Sequence, residues 1–241
     1  MKTDKLYSKY IENIKDFTFD EQVAEVFSDM AVRSIPGYRE IIKGTAELSK
    51  YYACEHSSLY DLGCSLGDVL LSIDKVLDVK NVKLIGIDNS PSMCAKCKLH
   101  ISSFKTSNDI LIMNEDIQLS NITNASVVIL NFTLQFLKPS VRDELIQKIF
   151  NSLIPGGVLI LSEKFKFDSP SINKILTLLH HDFKKQNGYS DLEISQKRNA
   201  IENIMKTDTK NQHYARLAKA GFSNIEIWYN NLNFGSFLAI K

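Results

Sequence analysis

The stretch Asp61-Leu62-Gly63-Cys64-Ser65-Leu66-Gly67 decides the fold. It continues a short apolar run, Leu59-Tyr60, and leads into an apolar amphipathic segment that starts near Asp68. A glycine-rich turn between a strand and a helix lets a ligand approach the backbone closely and offers it unpaired helix N–H groups. Four more apolar runs follow: Leu84–Asp88, Ile110–Met113, Ser126–Asn131 and Gly157–Ser162. Longer amphipathic stretches separate them. Such runs read as strands buried on both faces, hence parallel, with crossover helices between them. The expectation is an α/β doubly wound sheet with its ligand at the carboxyl ends of the strands. The chain closes with Ile225–Tyr229 and Phe234–Ile240, a hairpin pattern that adds an antiparallel edge pair.

Two segments fall outside this alternation. Residues 1–56 read as a mainly helical cap, with Phe17, Phe19, Val23, Val26, Phe27, Met30 and Ile35 at roughly helical spacing. Residues 164–216 read as a helical insertion or lid, broken by a turn at Asn187-Gly188-Tyr189-Ser190. The insertion holds ten Lys/Arg against six Asp/Glu, although the whole chain is only +1. Excess positive charge there suits an anionic substrate, while a solvated basic face is the plainer reading.

The strand ends carry a consistent set of polar residues. Asp88 closes the second strand, 21 positions beyond Gly67, where a carboxylate can accept both hydroxyls of a ribose. Asp116 follows the third strand and is placed to accept from an exocyclic adenine amine. Asn131 ends the fourth, and Pro155-Gly156-Gly157 reads as the turn into the fifth. Singly these are weak signals: an Asp after a strand is often a helix N-cap, Tyr38 reads first as a packing aromatic, and Asn131 could cap the following helix. Together, in this order, they resemble S-adenosylmethionine-dependent methyltransferases. A dinucleotide-binding domain is the rival, but it usually shows Gly-x-Gly-x-x-Gly without a leading acid; here Asp61 leads, and Ser65 stands where methyltransferases commonly have a second glycine.

The likeness extends beyond that core. Asp20–Phe27, Ser34–Tyr38, Tyr60–Gly67, Ile87–Pro91, Leu130–Leu137, Leu161–Phe165, His180–Lys184, Gly188–Ser190 and Glu193–Arg198 resemble the carboxy-S-adenosyl-L-methionine synthase family, from about residue 16 to the end. The resemblance implies a single-domain, Rossmann-like class I methyltransferase fold: a mostly parallel sheet with an antiparallel edge hairpin, an N-terminal helical cap and a helical insertion. It implies carboxyl transfer rather than methyl transfer, converting S-adenosylmethionine and prephenate to carboxy-S-adenosylmethionine and phenylpyruvate. That product is the donor for 5-carboxymethoxyuridine at the tRNA wobble position. The implied ligand residues are Tyr38, Gly63, Cys64, Ser65, Asp88, Asn89, Asp116, Ile117, Asn131 and Arg198, with Arg198 holding the new carboxylate and no metal. Arg is the side chain best shaped to take a carboxylate with two hydrogen bonds. Lys164, Lys184 and Lys197 are open candidates for the remaining anionic charge of prephenate, and no general base stands out. Asn199 occupies a place where an aromatic residue is not rare in the family. The resemblance also implies a cytoplasmic homodimer that does not itself bind tRNA. An ordinary methyltransferase acting on a small molecule or tRNA is the alternative. The run Asn131-Phe132-Thr133-Leu134 lacks the prolines usual in amino-group methylases.

Composition sets the outer limits. Hydrophobic residues make up 44% and charged residues 24%, ordinary for a soluble globular chain. Near-neutral charge argues against a dedicated RNA or membrane surface. No apolar run reaches the roughly 20 residues that a spanning helix needs. Four cysteines are too few for a disulfide scaffold, and the pair Cys94/Cys97 without a second pair reads as two thiols on a helix. Adjacent His180 and His181 point to different helix faces, which favours structural or substrate contact over metal ligation.

Overall fold

The structure, a computed structural model describing residues 2–241, opens with an extended lead-in and two helices, α1 (Glu21–Ser34) and α2 (Tyr38–Tyr52). The expected alternation follows: β1 (Ser58–Leu62), α3 (Asp68–Val76), β2 (Lys83–Asp88), α4 (Pro91–Ser102), β3 (Ile110–Asn114), β4 (Ala125–Asn131), α5 (Pro139–Ser152) and β5 (Leu153–Lys164). Three helices come next, α6 (Pro170–Gln186), α7 (Asp191–Glu202) and α8 (Lys210–Ala220), and then the hairpin β6 (Asn224–Asn231) and β7 (Phe234–Ile240). The sheet order is β3-β2-β1-β4-β5-β7-β6. Strands β1 to β5 run parallel, and β7 pairs antiparallel with both β5 and β6.

Alternate residues of the sheet feed two cores, as the two-residue period of a strand requires. On one face Leu62, Ile87, Val128, Leu130, Leu159 and Phe237 meet Leu145 and Ile149 of α5 and Leu217 of α8. On the other, Leu59, Leu84, Val127, Ile129 and Ile160 meet Ile41 of α2, Leu70 and Ile73 of α3 and Cys94 and Cys97 of α4. A third, smaller cluster joins Phe17, Val26 and Met30 of the cap to Leu66, Met93 and Ala200. This cluster seats α1 and α7 above the carboxyl ends of the strands. Order in the sheet reverses between β1 and β4, so the crevice that an open α/β sheet leaves for a ligand lies there.

Three local expectations are corrected. Strand β3 is not buried on both faces: it is a sheet edge beside β2 alone, and Leu111 is 56% exposed. Phe17 and Phe19 are not helical. They precede Asp20, whose carboxylate caps α1 by accepting from the Val23 N–H at 3.0 Å. Phe17 instead donates its N–H to the Ala200 carbonyl, 2.9 Å away on α7. Pro155-Gly156-Gly157 is not a turn before β5 but an irregularity inside it: Ala125 pairs with Leu153 and Val127 already with Val158, and Gly156 takes φ 75° to absorb the surplus. The break at residues 187–190 is present, and Ser190 opens α7 with a capping box to Glu193.

Candidate active site

The glycine turn is shaped by its own backbone. Gly63 (φ 83°), Ser65 (φ 48°) and Gly67 (φ 80°) all lie in the left-handed region. A Cβ on Gly63 would sit 2.4 Å from Thr133 Oγ1, so only hydrogen fits while that loop stays in place. The Gly63 and Cys64 N–H groups donate to the Ile87 carbonyl at 2.7 and 3.1 Å, which locks the turn to β2. The Ser65 N–H donates to Asp88 Oδ2 at 3.0 Å, and the Ser90 N–H to Asp88 Oδ1 at 2.9 Å. Asp88 is therefore oriented by two backbone donors, which favour its charged form. Burial outweighs them and raises its pKa.

All ten residues implied by the resemblance line one cavity of about 620 Å³. Tyr38 is the first residue of α2, placed by Gly37 at φ 73°, with its ring tilted 34° to that of Phe132 at a centroid distance of 6.4 Å. Asn89 follows Asp88 at the β2 end. Asp116 is tied to Gln118, accepting from its N–H at 2.8 Å and its amide at 3.2 Å. Ile117 is buried beside it. Asn131 ends β4 with its Oδ1 buried and unpartnered. Phe132 follows at φ 60°, a strained value for a bulky side chain. Arg198 is exposed on α7 at the cavity wall and makes no hydrogen bond or ion pair among the described residues.

The cavity is electrically two-ended. Asp61, Asp68, Asp88 and Asp116 line the end at the glycine turn. Asp61 is only 1% exposed, and neither carboxylate oxygen has a partner. Burial, followed by the charges of Asp88 and Asp68, pushes its pKa up to about 8. A buried carboxylate without a donor is unfavourable unless a cation joins it. Burial, followed by the charges of Asp68 and Asp61, likewise raises the pKa of the Tyr38 phenol. Lys164, His180, His181, Lys184, Lys197 and Arg198 line the opposite wall. Burial lowers Lys184 to about 7 and Lys164 and Lys197 to about 8. His180 is buried, its Nε2 lying 2.8 Å from the Ser34 carbonyl, and burial pushes its pKa down to about 2, so the ring is neutral.

Sequence reasoning left three groups unassigned. Asp61 was legible as the acid leading the turn, but its lack of any partner is a property of the fold. Lys164 and Lys184 were legible as two of three candidate cations for the substrate, but nothing in the sequence separated them from Lys197. Arg142 gave no signal: it is 1% exposed on α5 and donates to Asp208 and to the carbonyls of Gln135, Leu137 and Lys206. It thereby ties the loop after β4 to the segment after α7, both of which carry cavity residues. Cys94 and Cys97 are buried, unlinked thiols, and Cys94 Sγ lies 3.3 Å from the Asp88 carbonyl. Among the described residues no group of three or more His, Cys, Asp or Glu could hold a metal ion, and no helix is long and apolar enough to cross a membrane.

Comparison with known proteins agrees with this geometry. Residues 59–157 match a family model described as a methyltransferase domain. The carboxy-S-adenosyl-L-methionine synthase of Vibrio parahaemolyticus is 51% identical over 238 residues, 99% of this chain and 97% of its own. That of Aliivibrio fischeri is also 51% identical, over 99% of this chain and 98% of its own. Among solved structures, human N-acetylserotonin methyltransferase in complex with S-adenosylmethionine superposes with a TM-score of 0.62 at 18% identity. The superposition covers 92% of this chain and 55% of that one, and it shows the class I methyltransferase fold.

Proposed function

This chain belongs to the carboxy-S-adenosyl-L-methionine synthase family, and we propose that it moves a carboxyl group from prephenate to the sulfonium methyl of S-adenosylmethionine. Prephenate gives up its ring carboxyl and ring hydroxyl and becomes phenylpyruvate. The methyl proton leaves with the hydroxyl as water, so atoms balance without an oxidant. The observation that carries this reading is the two-ended cavity, with an unpartnered acid at the glycine turn and unpartnered cations opposite. A cofactor with a sulfonium and an ammonium suits the first, and a dicarboxylate suits the second.

In this reading Asp61 receives a cationic group of the cofactor, Asp88 and Asn89 hold the ribose, and Asp116 and Ile117 flank the adenine. Gly63, Cys64 and Ser65 supply the backbone cradle, and Tyr38 and Asn131 close over the sulfonium end. Arg198 holds the carboxylate that the reaction installs. The product serves as donor for 5-carboxymethoxyuridine in tRNA, without direct tRNA binding by this near-neutral chain. The free thiols suit the reducing cytoplasm. An apolar row on α6, Ile172, Ile175, Leu178 and Leu179, each more than 40% exposed, suits a homodimer seam.

Incubation with S-adenosylmethionine and prephenate tests the reading, with the nucleosides weighed by mass spectrometry. A species heavier by one carboxyl group is expected. Its absence from protein shown to bind the cofactor would overturn the proposal. Transfer of labelled methyl to tRNA or a small molecule would establish the ordinary methyltransferase instead.

A further inference from the structure

Four lysines line the cavity, and the structure separates them: Lys166, just past β5, is exposed, whereas the other three are buried or half-buried. Lys197 is matched: its Nζ lies 3.5 Å from Asp4 Oδ2 and 3.2 Å from Ser34 Oγ. Asp4 is itself buried and held by the Tyr189 hydroxyl at 2.5 Å. Lys164 and Lys184 are not matched. Neither ammonium makes a hydrogen bond or ion pair among the described residues, and the one aromatic contact of Lys164 is the Phe234 ring at 5.8 Å. Lys184 faces Lys164 from β5 and Lys197 and Arg198 from α7, all of like charge. On its own helix, His180 and His181 add no negative charge. Of the carboxylates on the cavity wall, Asp61, Asp68, Asp88 and Asp116 belong to the cofactor end, and Glu202 is exposed at the end of α7. A cluster of unneutralised cations on a partly buried wall is unfavourable in the empty protein and becomes favourable with an anion between them.

Building on the function proposed above, we infer that Lys164 and Lys184 form the subsite for the substrate's second carboxylate, the one that survives the reaction, while Arg198 takes the carboxylate that moves. The two lysines are then the specificity residues for a dicarboxylate over a monocarboxylate. Proton linkage gives the assignment a signature. Burial first, and for Lys184 its cationic neighbours as well, lower both ammonium groups, Lys184 to about 7 and Lys164 to about 8. At pH 8 the empty site therefore holds Lys184 mostly neutral and Lys164 about half charged. A bound carboxylate favours the charged form of both, so the complex takes up about one proton or slightly more from solvent.

Calorimetric titration of prephenate into protein saturated with S-adenosylhomocysteine, which has no methyl to carboxylate, reads this directly. Done at pH 8 in two buffers of different ionisation enthalpy, it gives affinity and proton uptake together. Wild type is expected to bind with uptake of about one proton. Lys164→Met and Lys184→Met should each weaken prephenate about tenfold or more, with S-adenosylhomocysteine affinity within about twofold. Lys184→Arg should keep prephenate affinity within a few-fold while losing most of the uptake, because arginine stays charged throughout. Binding by both Met variants as tight as wild type, or wild-type binding without proton uptake, overturns the subsite even if carboxy-S-adenosylmethionine is formed. A wild-type protein that neither binds prephenate nor makes that product overturns the function and the subsite together.

Discussion

Asp61→Asn should make the empty protein more stable and the cofactor complex weaker. In the folded chain Asp61 titrates at about 8 instead of 3.8, because burial and the neighbouring Asp88 and Asp68 disfavour its charge. Between those values the folded protein binds a proton that the unfolded chain has lost. Stability therefore falls as pH rises from about 4 to 8, by 1.36 kcal/mol per unit of difference. At pH 7.5 the ceiling is about 5 kcal/mol. An asparagine at the site avoids that cost but leaves its own amide unpaired, at about 1–3 kcal/mol. The net expected gain is about 2–4 kcal/mol, or about 4–16 °C in Tm for a chain of this length. Cofactor binding goes the other way, since the variant loses a charge-assisted pair in a buried site. A loss of about 2–4 kcal/mol, at least thirtyfold in affinity, is expected.

Thermal denaturation with and without S-adenosylmethionine, from pH 5 to 8.5, measures both. The stability gap between variant and wild type should widen as pH rises towards 8 and shrink as pH falls towards 4, where the proton that the fold holds on Asp61 begins to bind the unfolded chain as well. The ligand-induced rise in Tm should shrink in the variant. A variant less stable than wild type at pH 8 without ligand, or one with an undiminished ligand response, would refute the view that Asp61 is an unpaired acid awaiting a cation.

Gly63→Ala should abolish the cofactor-induced Tm shift and cost about 1–3 kcal/mol, because φ 83° and a Cβ 2.4 Å from Thr133 Oγ1 force the turn apart. A normal binding isotherm for that variant would contradict the close-approach argument. Arg142→Met should destabilise by about 3–5 kcal/mol, read by urea denaturation, since the Leu137 and Lys206 carbonyls lose the guanidinium, Gln135 keeps only the Lys206 N–H, and Asp208 keeps only Arg216 at 2.7 Å. Arg198→Ala should weaken the carboxylated cofactor by about tenfold while leaving S-adenosylmethionine within twofold. The wild-type guanidinium is exposed and partly screened, so the effect is smaller than for a buried pair. Equal losses for both ligands in equilibrium binding would remove Arg198 from the transferred carboxylate.

What could be read from the chain followed from distance along it. The strands were legible because doubly buried strands must be apolar throughout, and the residues at their carboxyl ends were legible because the doubly wound topology gathers those ends at one place. Asp88 and Asn131 meet in one cavity for that reason, whereas Tyr38 and Arg198 reach it from α2 and α7 and were legible only through the resemblance. Edge position was not legible: β3 reads as apolar as β2, and only the sheet order exposes Leu111. Nor was the pairing of the lysines. Lys197 is neutralised by Asp4, from the other end of the chain, and no local pattern distinguishes it from Lys184. Arg142 was hidden for the same reason, since its acceptors lie on the loop after β4 and the segment after α7. Phe17 and Phe19 fit a helical period by chance, and the Asp20 cap overrides it.

Charge balance across the cavity explains why a methyltransferase frame needs a second, basic wall for this chemistry. Methyl transfer turns a sulfonium into a thioether, so the acidic end loses its partner and the spent cofactor is released by that loss. Carboxyl transfer leaves the sulfonium in place. Asp61 and its neighbours stay matched throughout, and they cannot distinguish substrate from product. Prephenate and S-adenosylmethionine together carry the same net charge as phenylpyruvate and the carboxylated cofactor, so what changes is only where one carboxylate lies. A site favours that movement by holding a cation at the position to which the carboxylate goes. In the proposed assignment Arg198 on α7 is that cation, Lys164 and Lys184 on β5 and α6 hold the carboxylate that stays, and the acidic turn that fixes the fold is indifferent to the movement.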